Sequence, residues 1–243
     1  MIKFIMAVTY LLLVGIVSLP LYLVVNIIGK FNERKKVEAS QKIVSFFFRV
    51  MLAICGVKVD ARGLENVPKD EAVLFMANHR GYFDILAVYA TIPTLVGFIS
   101  KKEIKKIPSV GVWMKYINCL FLDREDKREG LKTILEAIEK VKNGYSMFIM
   151  PEGSRSKTYE MLPFKKGSFK IAEKADCKIL PVANANSAEV FEKQFPRIKS
   201  NTIIIEYGKP IDLPSMDKEE RKKIDVITRE AIQEMLDKIK SHL

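Results

Sequence analysis

Apolar positions divide the chain into two unlike parts. From Phe4 to Ile28 no charged side chain occurs across 25 positions. At about 1.5 Å per residue such a helix can cross a hydrocarbon core of roughly 30 Å. A cleaved signal peptide fits less well, since its apolar stretch is shorter and ends at a small-residue cleavage site. Pro20 removes a backbone donor, and Gly15 and Asn26 weaken the helix to a smaller degree, so a spanning helix and a bent, half-inserted one are both open. A basic stretch from Lys30 to Lys36 follows, then a second apolar run from Ile43 to Val57, interrupted by Lys42 and Arg49. That run is short for a span. It suits an interfacial or re-entrant helix, with Phe46, Phe47, Phe48, Met51 and Leu52 in the acyl region and the cations near headgroups; a core helix of the following domain is the other reading. Residues 1–57 are therefore expected to form a two-helix membrane anchor.

From residue 58 the pattern changes to short apolar runs alternating with amphipathic stretches. Strands are expected at 72–77, 95–99, 118–122, 146–150, 179–183 and 202–207, and helices at 83–91, 109–116, 126–142, 167–175 and 217–241. In the 126–142 helix Leu131, Ile134, Leu135, Ile138 and Val141 recur at the spacing of one helix face, and Asn143-Gly144 ends it. Strands separated by helices predict an α/β domain over residues 58–243, with a largely parallel sheet and helices on both faces.

Composition narrows the class. The 243 residues suffice for one sizeable α/β domain plus an appendage. Cys55, Cys119 and Cys177 are too scattered for a disulfide framework or a CxxC element, and with one internal histidine no tetrahedral metal set is expected. The formal charge of +11 calls for an anionic partner. Without a helix-turn-helix, zinc-finger or RNA-binding signature, nucleic acid is not expected. Anionic membrane lipids and a phosphorylated substrate satisfy both the charge and the anchor.

Candidate chemistry centres on Asn78-His79-Arg80-Gly81-Tyr82-Phe83-Asp84. The only other histidine is His242, next to last, where chain ends usually fray. Five positions rotate a side chain by roughly 140° on a continuous helix, so His79 and Asp84 can meet only across a bend. Gly81 is expected to supply that bend through its tolerance of unusual dihedrals. Two readings stand: a His–Asp dyad at a strand-turn-helix junction, or an aspartate capping the helix start. Further blocks fall at the ends of expected strands, where open α/β sheets bind ligands: Ser100 to Pro108, rich in lysine; Phe121-Leu122-Asp123-Arg124; Pro151-Glu152-Gly153-Ser154-Arg155-Ser156; and Leu180-Pro181-Val182. Arg124 and Arg155 could hold a phosphate bidentately, and Gly153 could let backbone N–H groups approach an anion.

NHRGYFD, FLDR, PEGSRS and LPV in this order, over roughly residues 55–210, resemble the glycerolipid acyltransferase superfamily. The resemblance is strongest to the 1-acyl-sn-glycerol-3-phosphate, or lysophosphatidic acid, acyltransferases. Ser154 and Met150 depart slightly from the residues common there. The resemblance implies that His79 and Asp84 are catalytic, that Arg124, Glu152, Gly153 and Arg155 surround the acceptor's glycerol phosphate, and that Lys101 contacts the phosphate. It implies transfer of a fatty acyl group to the sn-2 hydroxyl of lysophosphatidic acid, with acyl-CoA or acyl-carrier protein as co-substrate, no cofactor and no metal. His79 would be the general base and Asp84 its orienter. A sister enzyme using another lysophospholipid, glycerol 3-phosphate or an aminolipid is the alternative, and a non-catalytic lipid binder the third. The cations of residues 30–36 place the active site on the cytoplasmic side of the membrane.

Overall fold

The computed structural model describes residues 1–158 and 160–241, so His242 lies outside the described residues. The helices are α1 (Ile2–Phe31), α2 (Glu33–Cys55), α3 (Phe83–Thr91), α4 (Val110–Tyr116), α5 (Lys127–Lys142), α6 (Lys170–Ala175), α7 (Lys218–Lys222) and α8 (Ile224–Ser241). The strands are β1 (Lys58–Arg62), β2 (Leu74–Ala77), β3 (Val96–Lys101), β4 (Leu120–Leu122), β5 (Ser146–Ile149), β6 (Ile179–Ala185) and β7 (Thr202–Tyr207). They form one seven-stranded sheet in the order β1-β7-β6-β2-β5-β3-β4. Every pairing is parallel except β6 with β7.

The central strands are apolar throughout because both faces are covered. Phe75 and Ala77 of β2 and Phe148 of β5 face a core shared with α2, α3 and α4. Leu74 and Met76, with Met147 and Ile149, face α5, α6 and the start of α8. Two expected helices are subdivided: 167–175 begins as a 3-10 turn at Lys166–Phe169, and 217–241 breaks at Lys223 between α7 and α8. β1 was absent from the sequence reading. Its alternation of Lys58, Asp60 and Arg62 with only Val59 and Ala61 suits an edge strand and resembles a polar linker.

α1 runs unbroken through Pro20. It forms an antiparallel pair with α2 and is fastened to the protein along its length. Lys3 Nζ donates to the Cys55 carbonyl at 3.1 Å and to Ser200 Oγ, and Tyr10 OH to the Phe47 carbonyl at 3.0 Å. Trp113 Nε1 donates to Ser18 Oγ at 2.8 Å, Tyr22 OH to Ser109 Oγ at 2.8 Å, and Asn26 Nδ2 to Tyr116 OH at 2.7 Å. Its opposite face, including Leu12, Leu13, Ile16, Leu19 and Leu23, is exposed.

α2 begins ten residues before the apolar run that announced it, because Asn32 caps it by accepting the Lys35 N–H at 2.9 Å. It is also less peripheral than an interfacial helix would be. Met51 and Leu52, expected among the acyl chains of a bilayer, are buried inside the protein, in the core that α2 shares with α3. Arg49, expected near headgroups, donates to the Ala90 carbonyl at 3.0 Å. Gln41 bridges the Thr94 carbonyl and the Val96 N–H at 2.7 and 3.0 Å.

Candidate active site

The residues singled out in the sequence gather at the C-terminal ends of neighbouring parallel strands. His79 follows β2, Glu152 to Arg155 follow β5, Lys101 ends β3 and Arg124 follows β4. A reciprocal pair fixes the exit from β2. Asn78 Oδ1 accepts the Asn184 N–H at 2.7 Å, Asn78 Nδ2 donates to the Asn184 carbonyl at 2.9 Å, and Asn184 Nδ2 donates to the Asn78 carbonyl at 2.8 Å. This buried clamp joins β2 to β6 just before His79, a role that the sequence reading did not give Asn78.

His79 Nδ1 lies 2.8 Å from Asp84 Oδ2. The carboxylate only accepts, so Nδ1 carries the proton and Nε2 holds the lone pair in the neutral ring. The same Oδ2 accepts the backbone N–H groups of Arg80 and Gly81 at 2.8 and 2.9 Å. Asp84 is fully buried on the first turn of α3, while the His79 side chain remains 19% exposed. The dyad and the cap therefore coincide in one oxygen. The capping is unusual in direction: Asp84 reaches back to amides that precede the helix, and the N-cap, Tyr82, offers no side-chain bond. Oδ1 is buried without a hydrogen-bond partner among the described residues.

Gly81 does not serve as expected. It is absent from the positive-φ positions of the chain, so the turn needs no conformation special to glycine. Its missing side chain instead leaves room for Glu192, whose Oε2 would lie 2.8 Å from a Cβ at residue 81.

The Glu152 carboxylate is committed to the backbone. Oε1 accepts the His79 N–H and Oε2 the Leu162 N–H, both at 2.7 Å. Burial pushes its pKa above the ordinary glutamate range, opposed by these two N–H bonds. The next turn completes the cradle, with the Ser156 N–H donating to the His79 carbonyl at 2.9 Å. Gly153 contributes by its conformation and not by its own amide. Its N–H closes a turn on the Met150 carbonyl at 3.0 Å and is not free for an anion. Its φ of +74° and the Lys165 side chain packed over it exclude a side chain.

Two arginines approach the site. Arg124 Nη1 donates to the Gly153 carbonyl, and burial lowers the Arg124 pKa, partly offset by Glu103. Arg155 stacks its guanidinium 3.9 Å over the Tyr82 ring and ion-pairs with Glu192 at 3.0 Å. Lys101 is exposed at the end of β3, beside Lys102, which is paired with Asp123 at 2.8 Å. Pro181 lies within β6, one residue before its pairing with β7 begins.

Beside the dyad is an apolar cavity of about 430 Å³, within the size typical of small-molecule sites, roughly 300–1,000 Å³. Phe4, Leu11 and Val14 of α1, Phe47 and Met51 of α2, Leu86 of α3 and Trp113 of α4 contribute walls, and Tyr82 and Ser100 bring it to the polar side. All three cysteines are buried, and burial pushes each thiol up to about 11, so none supplies a ready thiolate nucleophile. Glu192 was missed by sequence reasoning. It stands 37 residues beyond Arg155 in none of the blocks, and only the fold brings it to them.

Residues 58–185 match the acyltransferase family profile. The chain is 32% identical over 199 residues to the 1-acyl-sn-glycerol-3-phosphate acyltransferase of Helicobacter pylori, covering 81% of this chain and 80% of that protein. It is 31% identical over 197 residues to the protein of the same description in Saccharomyces cerevisiae, covering 80% of this chain and 64% of the yeast one. The crystal structure of the 1-acyl-sn-glycerophosphate (LPA) acyltransferase PlsC from Thermotoga maritima superposes with a TM-score of 0.80 at 26% identity, covering 98% of this chain and 97% of that one.

Proposed function

Because the chain belongs to the acyltransferase family, among the 1-acyl-sn-glycerol-3-phosphate acyltransferases, we propose that it transfers a fatty acyl group from an acyl thioester to the sn-2 hydroxyl of lysophosphatidic acid. The single observation that carries this reading is the buried Asp84 carboxylate on His79 Nδ1, which leaves Nε2 as a base, in a motif whose Tyr82 both lines the apolar cavity and stacks under Arg155. Nε2 takes the hydroxyl proton as the acceptor oxygen attacks the thioester carbonyl. The new C–O bond forms, the C–S bond breaks, and the imidazolium returns the proton to the departing thiolate. Asp84 holds the tautomer and stabilises the charged ring. The acceptor hydroxyl is itself the nucleophile, in keeping with the inert cysteines.

The acceptor phosphate is held by Arg155, Arg124 and Lys101, the acyl chain occupies the cavity, and the thioester belongs to acyl-CoA or acyl-carrier protein. Glu152 and Gly153 shape the loop that carries the site.

The exposed apolar face of α1 is larger than a soluble surface normally tolerates and fits insertion into anionic lipid. Ties at Lys3, Ser18, Tyr22 and Asn26 keep α1 along the protein, which supports a helix lying in one leaflet; the cations of residues 30–36 favour the cytoplasmic side.

The test is product identification. Purified protein is offered lysophosphatidic acid, other lysophospholipids, glycerol 3-phosphate and an aminolipid, each with long-chain acyl-CoA and acyl-carrier protein. Phosphatidic acid is the expected major product. Preference for another acceptor overturns the assignment.

A further inference from the structure

Glu192 opens a 3-10 turn beyond β6, and its side chain is 19% exposed. Its Oε1 accepts two donors from different parts of the site: the Tyr82 backbone N–H at 2.6 Å and Arg155 Nη1 at 3.0 Å. Arg155 Nη2 also donates to the Tyr82 hydroxyl at 3.2 Å, and the guanidinium carbon lies 3.9 Å from the Tyr82 ring centroid. The arginine is thus fixed by a carboxylate on one edge and an aromatic face below. Its other N–H groups are left to meet a ligand. The second carboxylate oxygen, Oε2, is buried over Gly81, which can accommodate it because it lacks a Cβ.

An unsupported arginine has many rotamers and loses them when it binds an anion. Fixing it beforehand removes part of that cost, provided the fixing group leaves donors free. A carboxylate next to an anion site would ordinarily repel the ligand. Here its charge is opposed by Arg155 and by the amides at the start of α3. Resting on the reading of Arg155 as a contact to the acceptor phosphate, we propose that Glu192 is the positioning residue that aims Arg155, against Tyr82, at that phosphate. The role depends on hydrogen-bond acceptance at Oε1, which glutamine retains and alanine does not.

The experiment compares wild type, Glu192→Ala, Glu192→Gln, Arg155→Ala and the Arg155→Ala/Glu192→Ala double variant, measuring KM for lysophosphatidic acid and for the acyl donor alongside kcat and melting curves. Glu192→Ala is expected to raise the acceptor KM about tenfold, as a lost charge-assisted hydrogen bond does, with the donor KM unchanged. Glu192→Gln is expected to recover most of the loss. In the Arg155→Ala background, removing Glu192 should add almost nothing, since the two act through one interaction. Equal losses in both backgrounds, a loss in kcat with KM unchanged, or no rescue by glutamine would overturn the inference. If Glu192→Ala does not fold, Tyr82→Leu removes the stacking face while keeping the backbone N–H on Glu192. It should raise the same KM, and an unchanged KM counts equally against the inference. A wild type that turns over no lysophosphatidic acid overturns the functional reading itself and this inference with it. An active wild type with additive variants overturns the inference alone.

Discussion

Oε1 of Glu152 accepts the backbone N–H of His79 at 2.7 Å, so the loop after β5 holds the histidine loop after β2 through a buried acid. The partner oxygen on Leu162 N–H ties a third segment to the same carboxylate. The dyad is therefore placed by groups outside its own motif.

Replacing Glu152 by glutamine keeps one acceptor and turns the other into an amide donor facing an N–H group. A buried amide then lacks its bond, at a cost of about 1–3 kcal/mol. The pH dependence has a definite sign. Burial raises the folded-state pKa of Glu152, so the folded state binds its proton more readily than the unfolded chain. The resulting stabilisation is full below the unfolded pKa and is lost as pH rises through the folded value. Unfolding midpoints measured across that range should fall with rising pH more steeply in wild type than in Glu152→Gln. Parallel profiles would contradict this account.

Asp84→Asn presents His79 with a group that can donate, so the ring can adopt the tautomer whose Nε2 carries the proton. The base is then lost without a large change in shape. A fall of roughly 10²- to 10⁴-fold in kcat is expected, and a similar fall for His79→Ala. Initial rates of acyl transfer in detergent micelles check it, with near-normal turnover in either variant excluding the dyad.

Leu86→Trp places extra volume in the wall of the apolar cavity. Each methylene denied burial loses about 0.8 kcal/mol. The preferred acyl chain should therefore shorten by about two carbons or more, while the acceptor KM is unchanged. Competition among acyl-CoA chain lengths gives the answer. An unaltered profile would place the acyl chain elsewhere.

Tyr22→Phe removes the hydroxyl that bonds Ser109, and Ser18→Ala removes the acceptor of Trp113 Nε1. Tyr22→Phe is expected to cost about 1 kcal/mol, and Ser18→Ala, which leaves the buried Trp113 N–H without its acceptor, about 1–3 kcal/mol; for a chain of this size each kcal/mol lowers Tm by roughly 2–4 °C. Thermal denaturation in detergent measures both. No shift in either variant would mean that α1 is held by its apolar contacts alone.

The strand ends, the dyad and most helix positions were legible because they depend on local periodicity and short spacing. Leu74 to Ala77 reads as buried strand from composition, and His79 and Asp84 are only five residues apart. Other features depend on side chains meeting over long sequence distances. Glu192 reaches Tyr82 across 110 residues, and Asn184 reaches Asn78 across 106. β1 was obscured by charges suited to an edge. The use of Gly81 was also hidden, since a glycine that makes space for a distant carboxylate looks in sequence like one that turns the chain. The pose of α1 was open for the same reason: its apolar length fits a crossing, while Lys3, Ser18 and Asn26 find their partners only in the folded protein.

Phe4, Leu11 and Val14 belong to the helix whose other side is an exposed apolar face, yet they also line the apolar cavity. Exposed apolar face and pocket wall are thus one piece of polypeptide. Removing residues 1–31 would unroof the cavity and expose its floor of Phe47, Met51 and Trp113. A change at the exposed apolar face of α1 has a short mechanical route to the cavity, because only the thickness of a single helix separates the two.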